Sequence, residues 1–353
     1  MGQPMATPKR NFFDHLHATT VRGRALHPLA TLGFGIAALT CVGILLVTGL
    51  TLLLYYVPDQ GKAYEQILHI VTTLHYGGLV RDLHFVTANA LMVLAVLHLC
   101  RVFLTGSYKG RRLNWCYGLV LLLLILVANF TGYILPWDQV SYWAIKVGSS
   151  IAAYFPLIGP DLKRFFLAGN EIGHDTLLRS FALHVGLTPL ALLTFCSLHL
   201  WRLRKDGGLA LPAAAAQDQV PARPWLYRAE AAVALLTLGI LLILAQVVHS
   251  PIYERANPLH PPNPAKAPWY FVGFQEMVSY SAWFGGVIAP AMIGLFLFAV
   301  PLLDRSKSPG GIWFSRDRIP YNLLFLLLGL SQIVFIVIGQ WLRGPNWQWV
   351  LPF

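Results

Sequence analysis

The run from Val80 to Arg101, VRDLHFVTANALMVLAVLHLCR, is long and apolar enough to cross a membrane as a helix, and it carries His84 and His98 fourteen residues apart. At about 100° per residue, fourteen steps return a side chain to within about 40° of its first direction, so both imidazoles face the same neighbour. At about 1.5 Å per residue they stand roughly 21 Å apart along the axis, one towards each side of a hydrocarbon layer about 30 Å thick. One ligand set cannot use both. A second run, Ser180 to Trp201, repeats the pattern with His184 and His199 fifteen apart, an offset of about 60° in the other sense. Two such helices side by side could clamp two stacked hemes, each iron taking one imidazole from each helix.

The composition agrees with a membrane setting. Of 353 residues 56% are hydrophobic and only 12% charged, with a mean hydropathy of +0.58, whereas a soluble chain carries about 25% charge. Apolar spans fall near 30–57, 84–104, 113–135, 178–201, 229–249, 285–303 and 321–342, which predicts an all-α membrane protein with seven transmembrane helices. The net charge of +11 does not point to nucleic acid, because the basic residues sit in short loops between these spans. With the N-terminus in the cytoplasm, the inner segments hold seventeen of the twenty-six lysines and arginines, and an odd number of spans puts the C-terminus outside, in the periplasm of a bacterial-type inner membrane. His84 and His184 then lie near the outer face, and His98 and His199 near the inner one.

Four segments follow from the pattern. Residues 1–28 are read as a polar start with an amphipathic surface helix over about 8–28 and no signal peptide. Residues 29–204 form a four-helix heme-binding bundle, 205–224 (KDGGLALPAAAAQDQVPARP) a flexible linker, and 225–353 a three-helix C-terminal part. The outer loop 136–177 is expected to be partly helical, and the loop 250–284 is Pro-rich; long ordered loops more often carry function than merely connect. Cys41, Cys100, Cys116 and Cys196 stand singly within predicted helices and offer no Cys-x-x-Cys-His site for a covalent heme.

Gly35 and Gly49 on the first span, and Gly118 and Gly132 on the third, repeat the fourteen-residue spacing of the histidines. Without a side chain, glycine lets a flat macrocycle approach the backbone. Arg81, Arg101 and Arg179 lie within three to five residues of His84, His98 and His184, at depths where a guanidinium needs a partner. Heme propionates would supply that partner in bidentate geometry. Trp283, Trp313, Trp341, Trp347 and Trp349 read as an interfacial aromatic belt, and His75, His249 and His260 as exposed interfacial histidines without helical partners.

These histidine and glycine spacings, the three arginines and the sequence GYILPWDQVSYWAIKV after the third span resemble the diheme cytochrome b family of quinol:cytochrome c and plastoquinol:plastocyanin oxidoreductases. The fifteen-residue spacing and the Pro-Trp-Asp-Gln wording resemble its chloroplast-type branch, and residues 225–342 resemble the separate subunit IV of that branch, here fused through the linker. The resemblance implies two non-covalent b-type hemes, His84 with His184 on the low-potential one and His98 with His199 on the high-potential one. It implies electron transfer between quinol or quinone and partner subunits: a Rieske-type iron–sulfur protein and/or a c-type cytochrome, of single-heme or multiheme kind, in a homodimeric complex surrounded by lipid. The chain is then expected to be the quinone-reactive subunit of a quinol oxidoreductase. The alternative is a membrane conduit with one quinone site that serves a periplasmic oxidoreductase or multiheme cytochrome without bifurcation.

Two departures bear on that expectation. Where the family carries Pro-Glu-Trp-Tyr at the outer quinol site, this chain reads Ala267, Pro268, Trp269 and Tyr270, and proline cannot accept a proton. Glu276, Asp138, Glu254 and Tyr142 are the candidates to replace the missing acid beside Tyr270. The chloroplast-type cysteine for a covalent third heme corresponds to Gly33, so no covalent c-type heme is expected on this chain. At the inner face, His27, Arg204, Lys205 and Asp206 are placed to supply protons and positive charge to a quinone being reduced.

Overall fold

The computed structural model describes residues 19–211 and 219–351, and eleven helices are named here in chain order. They are α1 (Phe34–Leu53), α2 (Ala63–Thr72), α3 (Gly77–Leu104), α4 (Arg112–Ile134), α5 (Gln139–Ala152), α6 (Gly159–Leu167), α7 (His174–Lys205), α8 (Ala222–Val247), α9 (Trp269–Tyr280), α10 (Phe284–Leu303) and α11 (Arg316–Trp341). Seven of these are long and apolar enough to cross a membrane: α1, α3, α4, α7, α8, α10 and α11. This is a mostly helical membrane protein. The four short helices all sit on connections at one end of the bundle, termed here the capped end; the opposite, plain end has the shorter loops.

The packing explains how the histidine helices meet. α1 lies along α3, and α4 lies along α7, so each histidine helix has a glycine-bearing helix behind it. α8 packs against α1 and α3, whereas α10 packs against α4, and α11 against α9. The last three spans therefore surround the four-helix bundle. Apolar side chains also cover the outside, with Leu235 and Ile243 each 68% exposed, as lipid-facing positions require. Inside, one buried cluster occupies the middle around Cys41, Val86, Leu91, Met92 and Ile125. A second, around Trp137, Ile145 and Leu177, fills the capped end, and a third, around Phe103, Tyr108 and Trp115, fills the plain end.

Local chemistry sets the helix ends. Asp138 caps α5 by accepting the Ser141 N–H at 2.9 Å, and Pro268 starts α9, where a missing N–H costs nothing. Gly33, at φ +67°, precedes α1 and touches Val233 of α8; a side chain there would meet that valine at 3.1 Å in a backbone region few residues adopt. At the plain end Arg318, 1% exposed, donates to Asp304 Oδ2 at 3.0 Å, to the Phe103 carbonyl at 2.9 Å and to the Tyr108 hydroxyl at 2.9 Å. Tyr108 in turn donates to Asp304 Oδ2 at 2.7 Å. Burial pushes the Asp304 carboxyl up, but the bonds from Ser306, Tyr108 and Arg318 outweigh it and hold the group down at about 2.

Two expectations about the termini of the bundle are corrected. Residues 1–18 lie outside the described residues, but Thr20–Arg22 form a strand, β1, and Gly23–Leu26 a 3-10 turn, not a continuation of a surface helix. β1 pairs antiparallel with β2 (Gln219–Pro221), with Val21 opposite Val220, so the end of the segment read as a flexible linker is pinned to the start of the chain. Thr20 and Val21 are β-branched and favour extended backbone. Residues 212–218 of that segment lie outside the described residues. The outer loop is partly helical, as α5 and α6, and α2 is a helix that the apolar pattern alone did not signal.

Candidate cofactor sites

His84 of α3 and His184 of α7 face each other at the capped end with ring centres 6.2 Å apart and planes at 72°. His98 and His199 do the same towards the plain end, at 6.4 Å and 80°. Two imidazoles gripping one metal from opposite sides, with bonds of about 2 Å and about 1.1 Å from each nitrogen to its ring centre, have centres about 6.2 Å apart. Both pairs meet that condition.

The fifteen-residue spacing on α7 has a structural account. Ala182–Leu187, which contains His184, is a π-helical turn. Such a turn takes in one extra residue per turn. The segment therefore brings His184 to the same side as His199 despite the added residue, and the 60° offset expected for a regular helix is absorbed.

Three of the four rings are held by their Nδ1 atoms. His184 Nδ1 donates to the Ala128 carbonyl at 2.9 Å, and His199 Nδ1 to the Asn114 carbonyl at 3.1 Å. His84 Nδ1 lies 2.9 Å from Thr48 Oγ1, whose own hydrogen goes to the Ile44 carbonyl at 2.8 Å, so Thr48 accepts. In each case Nδ1 carries the proton, and Nε2 keeps the lone pair that a metal needs. The four glycines stand behind these rings. A methyl on Gly132 would meet His184 Cε1 at 2.5 Å, on Gly49 His84 Cε1 at 3.3 Å, on Gly35 His98 Cε1 at 3.4 Å, and on Gly118 His199 Cε1 at 3.5 Å. The shared spacing of histidines and glycines is thus a contact between them, helix against helix.

The arginines take carbonyl partners. Arg81 donates to the carbonyls of Ser250 and Pro251, each at 2.8 Å, and Arg101 to that of Ala30 at 2.6 and 3.1 Å and to Ser107 Oγ at 3.4 Å. Arg179 donates to the Phe165 carbonyl at 2.6 Å and lies over that residue's ring. Among the described residues no carboxylate lies within 4 Å of the three guanidinium groups, which spend these hydrogen bonds on neutral oxygens. Arg81 and Arg101 are buried, which makes an anionic partner valuable there.

The residues expected to replace the missing acid do not converge. Glu276 is buried, and its carboxylate accepts from Arg343 Nη2 at 2.6 Å, from Arg343 Nε at 3.1 Å and from Trp347 Nε1 at 2.7 Å. Burial pushes its pKa up, yet the hydrogen bonds from Arg343, Tyr280 and Trp347 prevail and hold it below the usual carboxylate range. Asp138 spends Oδ1 on Ser141 and Oδ2 on the Tyr253 N–H at 3.3 Å. Tyr142 packs edge-on against Trp137, and Tyr270 packs against the middle core, where burial raises its phenol. At the plain end His27 ends the 3-10 turn before α1, and Lys205, the last residue of α7, sits over the Trp201 ring.

Sequence reasoning missed several of these residues. His249, read as an exposed interfacial histidine, bonds through Nδ1 to Asp82 Oδ2 at 2.8 Å. Trp347 and Trp349, read as part of a belt, belong to the Arg343 cluster, because the chain turns back after α11. Only Arg343 itself, a lone cation in an aromatic tail, could have signalled this.

Seven helices able to span a membrane, around two half-buried pairs of facing imidazoles set one above the other, define the class: a helical membrane protein with two histidine pairs in line. Residues 26–207 match the family described as cytochrome b/b6/petB, and residues 255–351 that described as cytochrome b (C-terminal)/b6/petD. Cytochrome b of Trichophyton rubrum is 32% identical over 324 residues, covering 87% of this chain and 84% of that one. Cytochrome b of Yarrowia lipolytica is 31% identical over 323 residues with the same coverage. A chain of a hyperthermophilic respiratory complex III superposes with a TM-score of 0.79 at 26% identity, over 90% of this chain and 85% of that one. The chain belongs to the cytochrome b family, the electron-transferring membrane core of bc-type quinol oxidoreductase complexes.

Proposed function

We propose that this chain is the diheme core of a quinol-oxidising complex, with one quinone-reactive site at each end. The reading rests on the two histidine meeting points, at 6.2 and 6.4 Å. Bound there, two b-type hemes with two axial imidazoles each would supply one-electron carriers without an open coordination position, suited to electron transfer rather than oxygen binding. His84 and His184 would hold one, and His98 and His199 the other. Thr48 and the carbonyls of Ala128 and Asn114 orient the rings, while Gly35, Gly49, Gly118 and Gly132 leave room for the imidazoles that sit against them. Arg81, Arg101 and Arg179 would pair with propionates through N–H groups beyond those spent on carbonyls.

The distribution of basic residues supports a plain end in the cytoplasm, and a capped end and C-terminus outside, across a bacterial-type inner membrane. Quinol would be oxidised at the capped end between α5 and the start of α9. There Tyr142, Tyr270 and Asp138 are the polar groups at hand, since Pro268 offers no acid and Glu276 is committed to Arg343. His27 and Lys205 would serve a quinone at the plain end. A Rieske-type iron–sulfur protein and a c-type cytochrome would take electrons at the capped end, in a homodimeric complex. Pro268 is the one observation that favours the alternative, a conduit with a single working quinone site.

The test is purification of the native complex. Two non-covalent hemes per chain by pyridine hemochrome, a co-purifying iron–sulfur protein by mass spectrometry, and quinol oxidation blocked by outer-site inhibitors are expected. Two hemes without the iron–sulfur protein and without inhibition would refute the bifurcating reading in favour of the conduit.

A further inference from the structure

The segment after α11 doubles back on itself. The Val350 N–H donates to the Leu342 carbonyl at 3.0 Å and the Gly344 N–H to that of Gln348 at 2.9 Å, closing a small hairpin. This hairpin grips α9 through one buried ion pair. Arg343, 8% exposed, meets both carboxylate oxygens of the fully buried Glu276. Arg343 also donates to the Tyr280 hydroxyl at 3.0 Å and to the Trp347 carbonyl at 3.0 Å, and the Trp349 ring lies under it at 4.0 Å.

The same segment, together with the last turn of α11, grips the Pro-rich loop that precedes α9. Asn263 and Asn346 bond to each other twice, at 2.6 and 2.8 Å, and Lys266 Nζ donates to the Gln340 carbonyl at 2.7 Å. The tail is therefore attached both before and after Pro268. α9 also meets the four-helix bundle, where Trp269 Nε1 donates to Asn89 of α3 at 2.7 Å and the Phe271 ring meets Phe130 of α4. α9 is held by both the bundle and the tail.

A buried pair of this kind adds little net stability over apolar packing, but it fixes one geometry, because any other leaves a buried charge unpaired. We propose that Glu276 and Arg343 are positioning residues for the capped-end quinone site. Their ion pair locks the tail hairpin, the Pro-rich loop and α9 into one rigid piece, and so sets where Pro268, Trp269 and Tyr270 stand against α3 and α4. This inference rests on the quinol-oxidising reading given above.

The test uses the whole complex carrying Arg343→Met, Glu276→Met or both, with steady-state quinol oxidation as the readout. Each single variant is expected to raise KM for quinol and to weaken an outer-site inhibitor by about 10- to 100-fold, the range for a site displaced by about an ångström. Heme content, both reduced heme bands, and electron exchange through the inner site with the outer site blocked are expected to stay as in the wild type. The double variant, free of an unpaired buried charge, should regain yield while keeping the high KM. A wild-type KM in the double variant would overturn the inference, since packing alone would then suffice. Should neither single variant accumulate, Trp347→Phe removes one donor to Glu276 and is expected to raise KM about 2- to 5-fold; an unchanged KM overturns the inference. A wild-type complex that oxidises no quinol would overturn the functional reading as well, so the two failures are told apart by the wild type.

Discussion

Replacing Gly132 by alanine tests the histidine–glycine contact most directly. The added methyl would lie 2.5 Å from His184 Cε1, 3.0 Å from Nδ1 and 3.1 Å from Nε2. Carbon atoms pack at about 3.5 Å, so the ring or α4 must retreat by about 1 Å. A metal–ligand bond tolerates about 0.2 Å, so the ring cannot simply move and still ligate. Overpacking of this kind costs about 1–3 kcal/mol, or about 5- to 150-fold in affinity for the capped-end heme. Gly118→Ala is the matched control on the same helix, because its methyl would meet His199 at an ordinary 3.5 Å. Heme-to-protein ratios by pyridine hemochrome and reduced-minus-oxidised spectra of membranes read the outcome. Gly132→Ala is expected to move the ratio from two towards one, and Gly118→Ala to leave it near two. Two hemes with an unaltered spectrum in Gly132→Ala, or equal loss in both variants, would refute the reasoning.

Three further outcomes are expected. His98→Ala should remove the plain-end heme and its electron exchange with quinone while the chain still inserts, as an unchanged amount of membrane-bound protein at half the heme content would report. Pro268→Glu should raise quinol oxidation if only the proton acceptor limits the capped-end site, and a turnover assay with no gain would show that another group does this work. Asp304→Asn should cost about 3–5 kcal/mol, the effect of breaking a buried pair. Because the folded carboxyl is held at about 2, below its unfolded value near 3.9, the pair stabilises the fold fully above that unfolded value and loses its effect as pH falls through the folded one. Thermal unfolding in detergent should therefore show a gap between wild type and variant that is constant above about pH 5 and narrows below about pH 4.

The spans and both histidine pairs were legible in the sequence because a membrane leaves few options: apolar length and angular period decide the outcome almost alone. The glycines were legible for the same reason, since they repeat the histidine period. What escaped was set by contacts between distant segments. Thr48 looks like any threonine in an apolar helix until His84 is placed beside it. Glu276 looked like a replacement acid because its distance from Pro268 along the chain was known and the arrival of Arg343 from sixty-seven residues downstream was not. β1 and the end of the linker were read as a surface helix and a loose tether, since three-residue strands are defined only by their partner.

The π-helical turn at Ala182–Leu187 has a consequence for how chains of this kind are compared. What the cofactor needs from α7 is the phase of two imidazoles, not a count of residues between them. A helix able to store one residue in a local bulge can keep that phase through a single insertion or deletion. A spacing of fifteen and one of fourteen then describe the same object, and neither number by itself tells one branch of the family from another.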